Sequence, residues 1–505
     1  MTGIADCIPA DPAATLWDVV IVGTGAGGAA AGFNLARRGR SVLFLERGRL
    51  RTAADAAAFA PRGQAAQSME QSMEQGWWPE PIYQRTEQGD LSRRMPVGCG
   101  AGGSTALFAM VMDRFRPVDL TPCRFASPAG GTSLPDSWPI AYEELAPYYA
   151  EAEKLFRVHG TEDPLAPTGT PLLPPQPASE PESTLHGMLT AAGLHPYRLH
   201  EAREHLPGCT GCYARLCPRD CRHDAGRMCL EPALTEHGAC ALPECRVTRL
   251  EASGRTVRVA RCRWNGRDIE IRARVFVLAL GSLLTPALLM RSATEAHRDG
   301  LGNASGMVGR NLMVHVSDSL LVCVPDQIGL LNPLLAHGIA LNDFYVRDSV
   351  KLGSLHAHAA CLPWGGTGAR GAIVFQTIVE DFPYVTNYVA PKRGDEDAVV
   401  WAYAASPELR ERSAALIAAF TEALRGRAQV VPLHAPGSLN LAHACGTCRF
   451  GNDSRTSVLD RDNRVHDLDN LYVVDASCLA SSGGIHPSLT VVANSLRASD
   501  RIARR

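Results

Sequence analysis

The sequence predicts an α/β protein of two domains, and three observations carry that reading. A strand, a glycine-rich loop, a helix and a second strand follow one another within about 30 residues near the N-terminus. The 505 residues are enough, at roughly 150 per domain, for two to three domains with large cores. Residues 310–435 mix strand-like and loop segments without motifs, after which the chain turns dense in Gly, His and Asp, as a return to a site would.

The first unit is the most legible. Trp17 to Val22 (WDVVIV) is a continuous apolar run suited to a buried parallel strand. It leads into Gly23-Thr24-Gly25-Ala26-Gly27-Gly28, a helix ending at Gly39, and a strand from Ser41 to Leu45 that closes at Glu46. Gly23 supplies the tight turn, Gly25 lets backbone approach a pyrophosphate, and Gly28 allows helix–strand contact, while helix N-terminal amides hold phosphates. Glu46 stands where an acid accepts hydrogen bonds from an adenosine ribose, which favours FAD or NAD over NADP. A chance Gly-rich turn is the plain alternative. The flanking strand and helix and the closing acid favour a dinucleotide site.

Residues 50–90 are polar and Ala/Gln-rich, with a tandem QSMEQSME and then Trp77-Trp78-Pro79, and they suit a helical surface excursion or lid. In Val97 to Asp119, Gly98, Gly100, Gly102 and Gly103 precede Ser104 and Thr105, a backbone surface able to lie against a flat ligand. Alone, that pattern is equally a tight turn. Residues 140–158 have helical spacing, and DPLAPTGTPLLPPQPASEP is an extended connector. Val247–Leu250 and Arg272–Leu280 suit strands, the latter ending at Gly281-Ser282 before a helix.

Composition excludes several classes. Lys+Arg 50 against Asp+Glu 52 gives a net charge of −2 without a basic run, so nucleic acid and anionic lipid are not expected partners. No apolar run is long enough for a membrane span, and the N-terminus shows no basic region followed by an apolar core, so a cytoplasmic enzyme is expected. Of 16 cysteines, seven fall between Cys209 and Cys245. The spacing of Cys209, Cys212, Cys217 and Cys221, with a Cys-Pro pair, is compatible with iron–sulfur ligands. Zinc is less natural, because the close pairs lack the usual long intervening span. Free thiols or local disulfides are the expectation.

The motifs in sequence order resemble the glucose–methanol–choline (GMC) family of FAD oxidoreductases. Besides the N-terminal loop, Gly102-Gly103-Ser104-Thr105 resembles its GGS[ST] turn, and the run Gly281 to Ser292 resembles its second motif, with Ala293 where Gly is usual. Val308 to Leu312 resembles the GxNL turn and His443 to Arg449 resembles HxxGTCR. Asn470 to Ser477 and Gly484 to Thr490 resemble the closing NLYVxDxS…NPxxT segment. Phe108 stands where many members carry a flavin-contacting Asn, and His486 where bacterial members more often carry Asn. The latter makes a His/His pair, a pattern of the fungal glucose oxidases.

The resemblance implies a Rossmann-like FAD-binding domain from 1–135, 205–308 and 436–505, and a substrate domain with antiparallel sheet and helices from 136–204 and 309–435. It implies FAD contacts at Gly23, Gly25, Ala26, Gly27, Gly28, Glu46, Arg47, Gly98, Gly102, Gly103, Ser104, Thr105, Val247, Asp475, Ala476, His486, Pro487 and Thr490. Alcohol oxidation by a flavin needs removal of a hydroxyl proton as hydride leaves the same carbon for flavin N5. Imidazole titrates near neutral pH without perturbation, so His443 is expected as base and His486 as hydrogen-bonding partner. A lone histidine is more often structural; inside these two motifs the catalytic role is preferred. The expected substrate is a small-molecule alcohol, first a polyol, sugar or amino sugar, with O2 or another carrier reoxidising the flavin. Two other classes stay open: a dehydrogenase subunit passing electrons through an Fe–S cluster, and a non-redox flavoprotein lyase.

Overall fold

The computed structural model describes residues 7–50, 69–93, 95–125, 131–166, 169–204, 206, 212, 214–219, 221–324, 338–357, 372–395 and 397–505. The N-terminal unit forms as strand Leu16–Val22, helix Ala26–Ala36 and strand Val42–Leu45. The two strands pair in parallel, Val19 opposite Val42 and Val22 opposite Leu45. Residues Val19 to Val22 and Val42 to Leu45 are all buried, which is why neither strand alternates in sequence.

Around this unit lies a seven-stranded sheet. Cys240–Leu242, Val42–Leu45, Leu16–Val22, Arg267–Leu278 and Leu471–Val473 run parallel in that order. Thr256–Trp264 and Arg246–Ser253 extend the sheet antiparallel from the first half of Arg267–Leu278. Leu471–Val473 pairs with Phe276 to Leu278, so a strand near the chain's end delivers the following loop beside the glycine loop. The terminal helix Ser488–Ala503 packs on Ala26–Ala36: Asn34 donates to Ser499 Oγ at 2.7 Å, and Ser495 Oγ to the Gly27 carbonyl at 2.5 Å. On its other side lies helix Tyr142–Leu155, within the stretch read as helical.

A second, eight-stranded antiparallel sheet runs Gln429–Pro432, Ser319–Cys323, Ala372–Glu380, Ser354–Ala357, Ile339–Leu341 and Tyr197–Arg198. Met313–Val316 joins it by pairing with both Ala372–Glu380 and Leu439–Cys445. Helix Pro407–Ala423, N-capped by Ser406, covers it with Leu409, Leu416 and Phe420. A third sheet joins the hairpin Ile82–Thr86 and Gly89–Arg93 to Val399–Ala402 and Tyr388–Pro391. The polar stretch 50–90 thus yields this hairpin and a short helix, Met69–Glu74, while 51–68 fall outside the described residues. Residues 82–93 and 439–445, assigned in sequence to the dinucleotide domain, pair with strands from 309–435, because strand pairing is decided by distant hydrogen-bond partners rather than chain order.

Candidate active site

The first glycine loop is packed so tightly that most of its glycines have no room for a side chain. A Cβ on Gly23 (φ 98°) would lie 2.5 Å from the Ala279 carbonyl oxygen. On Gly27 it would lie 2.0 Å from Val474 O, and on Gly28 2.1 Å from Gly23 O. Gly25 differs: a Cβ there meets nothing within 4 Å. Its missing side chain faces open space at the start of a helix, whose first-turn amides have no intrahelical acceptor. Gly103 sits opposite, and a Cβ on it would come within 3.0 Å of Gly25 Cα. The void at Gly25, the first-turn amides beside it and the 3-10 turn Gly103–Ala106 together fit the diphosphate and ring system of a flavin dinucleotide.

One cavity collects most of the residues picked from sequence. Gly23, Gly25, Ala26, Gly27, Glu46, Arg47, Gly98, Gly103, Ser104, Thr105, Val247, Asp475, Ala476, His486, Pro487 and His443 line it. Gly28, Gly102 and Thr490 stand behind its wall. Gly102 (φ 81°) backs onto Asp224 and Gly226, and the fully buried Thr490 hydroxyl is hydrogen-bonded to Tyr149 at 2.8 Å. Asp475 accepts from Gly281 N (3.0 Å), Thr285 Oγ1 (2.6 Å) and Ser477 N (2.8 Å), clamping the returning loop to the sheet; burial pushes its carboxyl above the usual range.

Glu46 is more occupied than its sequence position suggests. Oε2 accepts from Thr24 N at 3.0 Å and Thr24 Oγ1 at 2.6 Å, and Oε1 from Gly48 N at 2.8 Å and Gly100 N at 2.9 Å. Four protein donors therefore use its roughly four acceptor positions and tie three loops together. Arg47 lines the cavity while both its Nε and Nη2 donate to Glu80 Oε1.

The two motif histidines meet although 43 residues separate them. His443 lies on strand Leu439–Cys445 and His486 on the loop before helix Ser488–Ala503; their ring centroids are 5.2 Å apart and inclined at 76°. Two further histidines, not singled out in sequence, extend the group. His315 Nδ1 lies 2.9 Å from His443 Nδ1, and the His356 ring is 4.6 Å from that of His486. Both sit in four-residue strands that are wholly buried, Met313–Val316 and Ser354–Ala357. A histidine three residues beyond Leu312 of the recognised turn was the available signal. Burial, then the neighbouring His315 and His486, holds the His443 imidazole well below its ordinary value, and burial pushes His315 down to about 4. Both rings are neutral at neutral pH. Phe108, Met110, Val111 and Leu441 add apolar walls, and Gln376 and Asn440 add amides.

The cysteine segment packs on the second glycine turn: Ala214 N donates to Leu107 O at 2.8 Å and Arg222 to the Ala106 carbonyl. Cys217 and Cys221 place their sulfurs 3.3 Å apart, and Cys209 lies outside the described residues. Among the described residues, every cysteine is a free thiol and no group of three or more His, Cys, Asp or Glu is arranged to hold a metal. No described helix is long and apolar enough to cross a membrane.

Comparison with known proteins places the chain in a family. The family descriptions "GMC oxidoreductase" match residues 139–317 and 388–495, and "FAD binding domain" matches 18–120. The chain is 29% identical to 6'''-hydroxyparomomycin C oxidase of Streptomyces lividus, over 97% of this chain and 91% of that protein. It is 29% identical to paromamine 6'-oxidase of Streptomyces fradiae with the same shares covered. The fold is similar to the crystal structure of pyridoxine 4-oxidase from Mesorbium loti, with a TM-score of 0.67 at 23% identity over 97% of this chain and 99% of that one.

Proposed function

The chain belongs to the GMC oxidoreductase family of FAD-dependent alcohol oxidoreductases, and from that premise we propose that it oxidises a hydroxyl of a polyol, sugar or amino sugar, with His443 and His486 as the acting pair. The observation that carries this reading is that two adjacent, half-buried imidazoles line the same cavity as the open space at Gly25. FAD, when bound, supplies the acceptor for a hydride leaving the carbinol carbon. His443, kept neutral by burial, takes the hydroxyl proton at a ring nitrogen. His486 donates a hydrogen bond to the same oxygen as negative charge builds on it. Phe108, Met110, Val111 and Leu441 exclude water around that oxygen. The Gln376 and Asn440 amides offer partners to non-reacting hydroxyls.

The amides Ala26 to Gly28 would hold the diphosphate, and Gly103 to Thr105 would bear on the flat ring. A ribose hydroxyl reaching Glu46 would share acceptor positions already bonded to Thr24, Gly48 and Gly100. The substrate class is supported by the two Streptomyces relatives, whose names describe oxidation of aminoglycosides. We assign the two-domain division given above, with 82–93 and 439–445 joined to the strands of 309–435 that they pair with, O2 or another carrier as electron acceptor, and a cytoplasmic location, which the free thiols among the described residues support. Anaerobic addition of a panel of polyols, sugars and amino sugars tests the reading: one member should bleach the flavin with formation of its aldehyde or ketone. A flavin that no alcohol bleaches defeats it.

A further inference from the structure

His315 is fully buried on strand Met313–Val316, and its ring touches two kinds of partner. Nε2 lies 2.8 Å from the Gly483 carbonyl oxygen and 3.2 Å from that of Ser482. Carbonyl oxygens only accept, so Nε2 carries a hydrogen. A neutral imidazole has one N–H, which leaves Nδ1 as an acceptor, and Nδ1 faces His443 Nδ1 at 2.9 Å. His443 must then donate from Nδ1. We propose that His315 is a positioning residue that sets the tautomer of His443, holding its hydrogen on Nδ1 so that Nε2 is the bare nitrogen that takes the substrate proton.

The loop that anchors His315 is itself fixed. Gly483 N donates to Glu380 Oε1 at 3.1 Å and Gly484 N to Tyr345 Oη at 2.9 Å. Glu380 and Asp119 in turn flank the buried ammonium of Lys351. Those three charges stand behind the loop, and Glu380 is opposite His315 in the strand register. The competing donor to His443 Nδ1 is the Asn440 amide, at 3.5 Å; it is held by Ala442 N on its oxygen (3.2 Å) and by its own bond to Ser317 Oγ (3.3 Å). At 2.9 Å against 3.5 Å, the contact with His315 decides the tautomer.

The inference rests on His443 being the base, and the test separates the two claims. Nitrogen-15 spectra of histidine-labelled protein, with the His443 signals assigned by their loss in His443→Gln, should show Nδ1 protonated and Nε2 bare at pH 7. His315→Leu removes the acceptor; flavin content and KM should hold while the limiting rate of anaerobic flavin reduction falls roughly 10–100-fold, the consequence of leaving a buried donor unpaired. His315→Asn keeps an oxygen near the Nδ1 position and should recover most of that rate. In His315→Leu the His443 spectrum should turn to a mixture of tautomers, which a purely space-filling role would not produce. A wild-type spectrum with hydrogen on Nε2, or equal rates in the Leu and Asn variants, overturns the proposal. If the Leu variant does not fold, the wild-type and Asn spectra decide it alone. A normal rate in His443→Ala instead overturns the base assignment and leaves the tautomer result standing.

Discussion

Gly25→Val separates cofactor binding from folding more cleanly than any other change in the glycine loop. Gly25 has φ −69° and ψ −169°, a conformation open to every residue, and its Cβ would meet nothing within 4 Å. A valine should therefore cost the apoprotein little, about 1 kcal/mol at most from its poorer helix N-cap preference. Its methyl groups would occupy the space from which backbone approaches a diphosphate. Gly27→Ala is the contrast. Its Cβ would lie 2.0 Å from the Val474 carbonyl, so it must push the first helix away from the returning loop, at a cost of roughly 1–3 kcal/mol or more. The assay is the flavin-to-protein absorbance ratio together with urea unfolding with and without added FAD. Wild-type protein should gain about 2.7 kcal/mol at FAD a hundredfold above Kd. Gly25→Val should unfold like wild-type apoprotein and gain nothing from FAD. Recovery of Gly25→Val with full flavin would refute the placement of the diphosphate.

His443→Ala should slow anaerobic flavin reduction by about 10²–10⁴-fold with flavin content unchanged, and His486→Asn should be milder because an amide still donates; the reverse order would exchange their roles. Because His443 is held below its ordinary value, the reductive rate should be flat above pH about 6.5 and fall only on the acid side; stopped-flow rates across pH would expose a limb in the wrong place. Glu46→Ala strands four buried donors from three loops, so urea unfolding of the apoprotein should show a loss of roughly 3–5 kcal/mol, and an unchanged midpoint would mean that Glu46 serves the ribose alone. Asp381 is 1% exposed, and burial pushes its carboxyl up to about 7 from 3.8. The folded state therefore binds the extra proton between those values, and stability falls as pH rises through them, by about 4 kcal/mol in total. Asp381→Asn should gain on wild type between pH 4 and 7 and hold a constant advantage above; a difference that does not change with pH would show the carboxyl to be ordinary.

The sequence by itself determined the βαβ unit and the chemistry of the cofactor. Strand Leu16–Val22, helix Ala26–Ala36 and strand Val42–Leu45 are contiguous, so their apolar runs and the steric demands of Gly23, Gly27 and Gly28 are local facts. His443 and His486 were legible because each sits in a dense motif. Tertiary structure decided what surrounds them. His315 and His356 lie on buried strands whose hydrogen-bond partners come from distant parts of the chain, so beyond the closeness of His315 to the turn at Leu312 their sequence surroundings do not mark them as neighbours of the site. Occupancy followed the same logic: Glu46 meets Gly100 and Thr490 meets Tyr149 across long stretches of chain. A motif names the residue type a site needs, but which donors and acceptors remain for the ligand depends on contacts that only the folded chain makes.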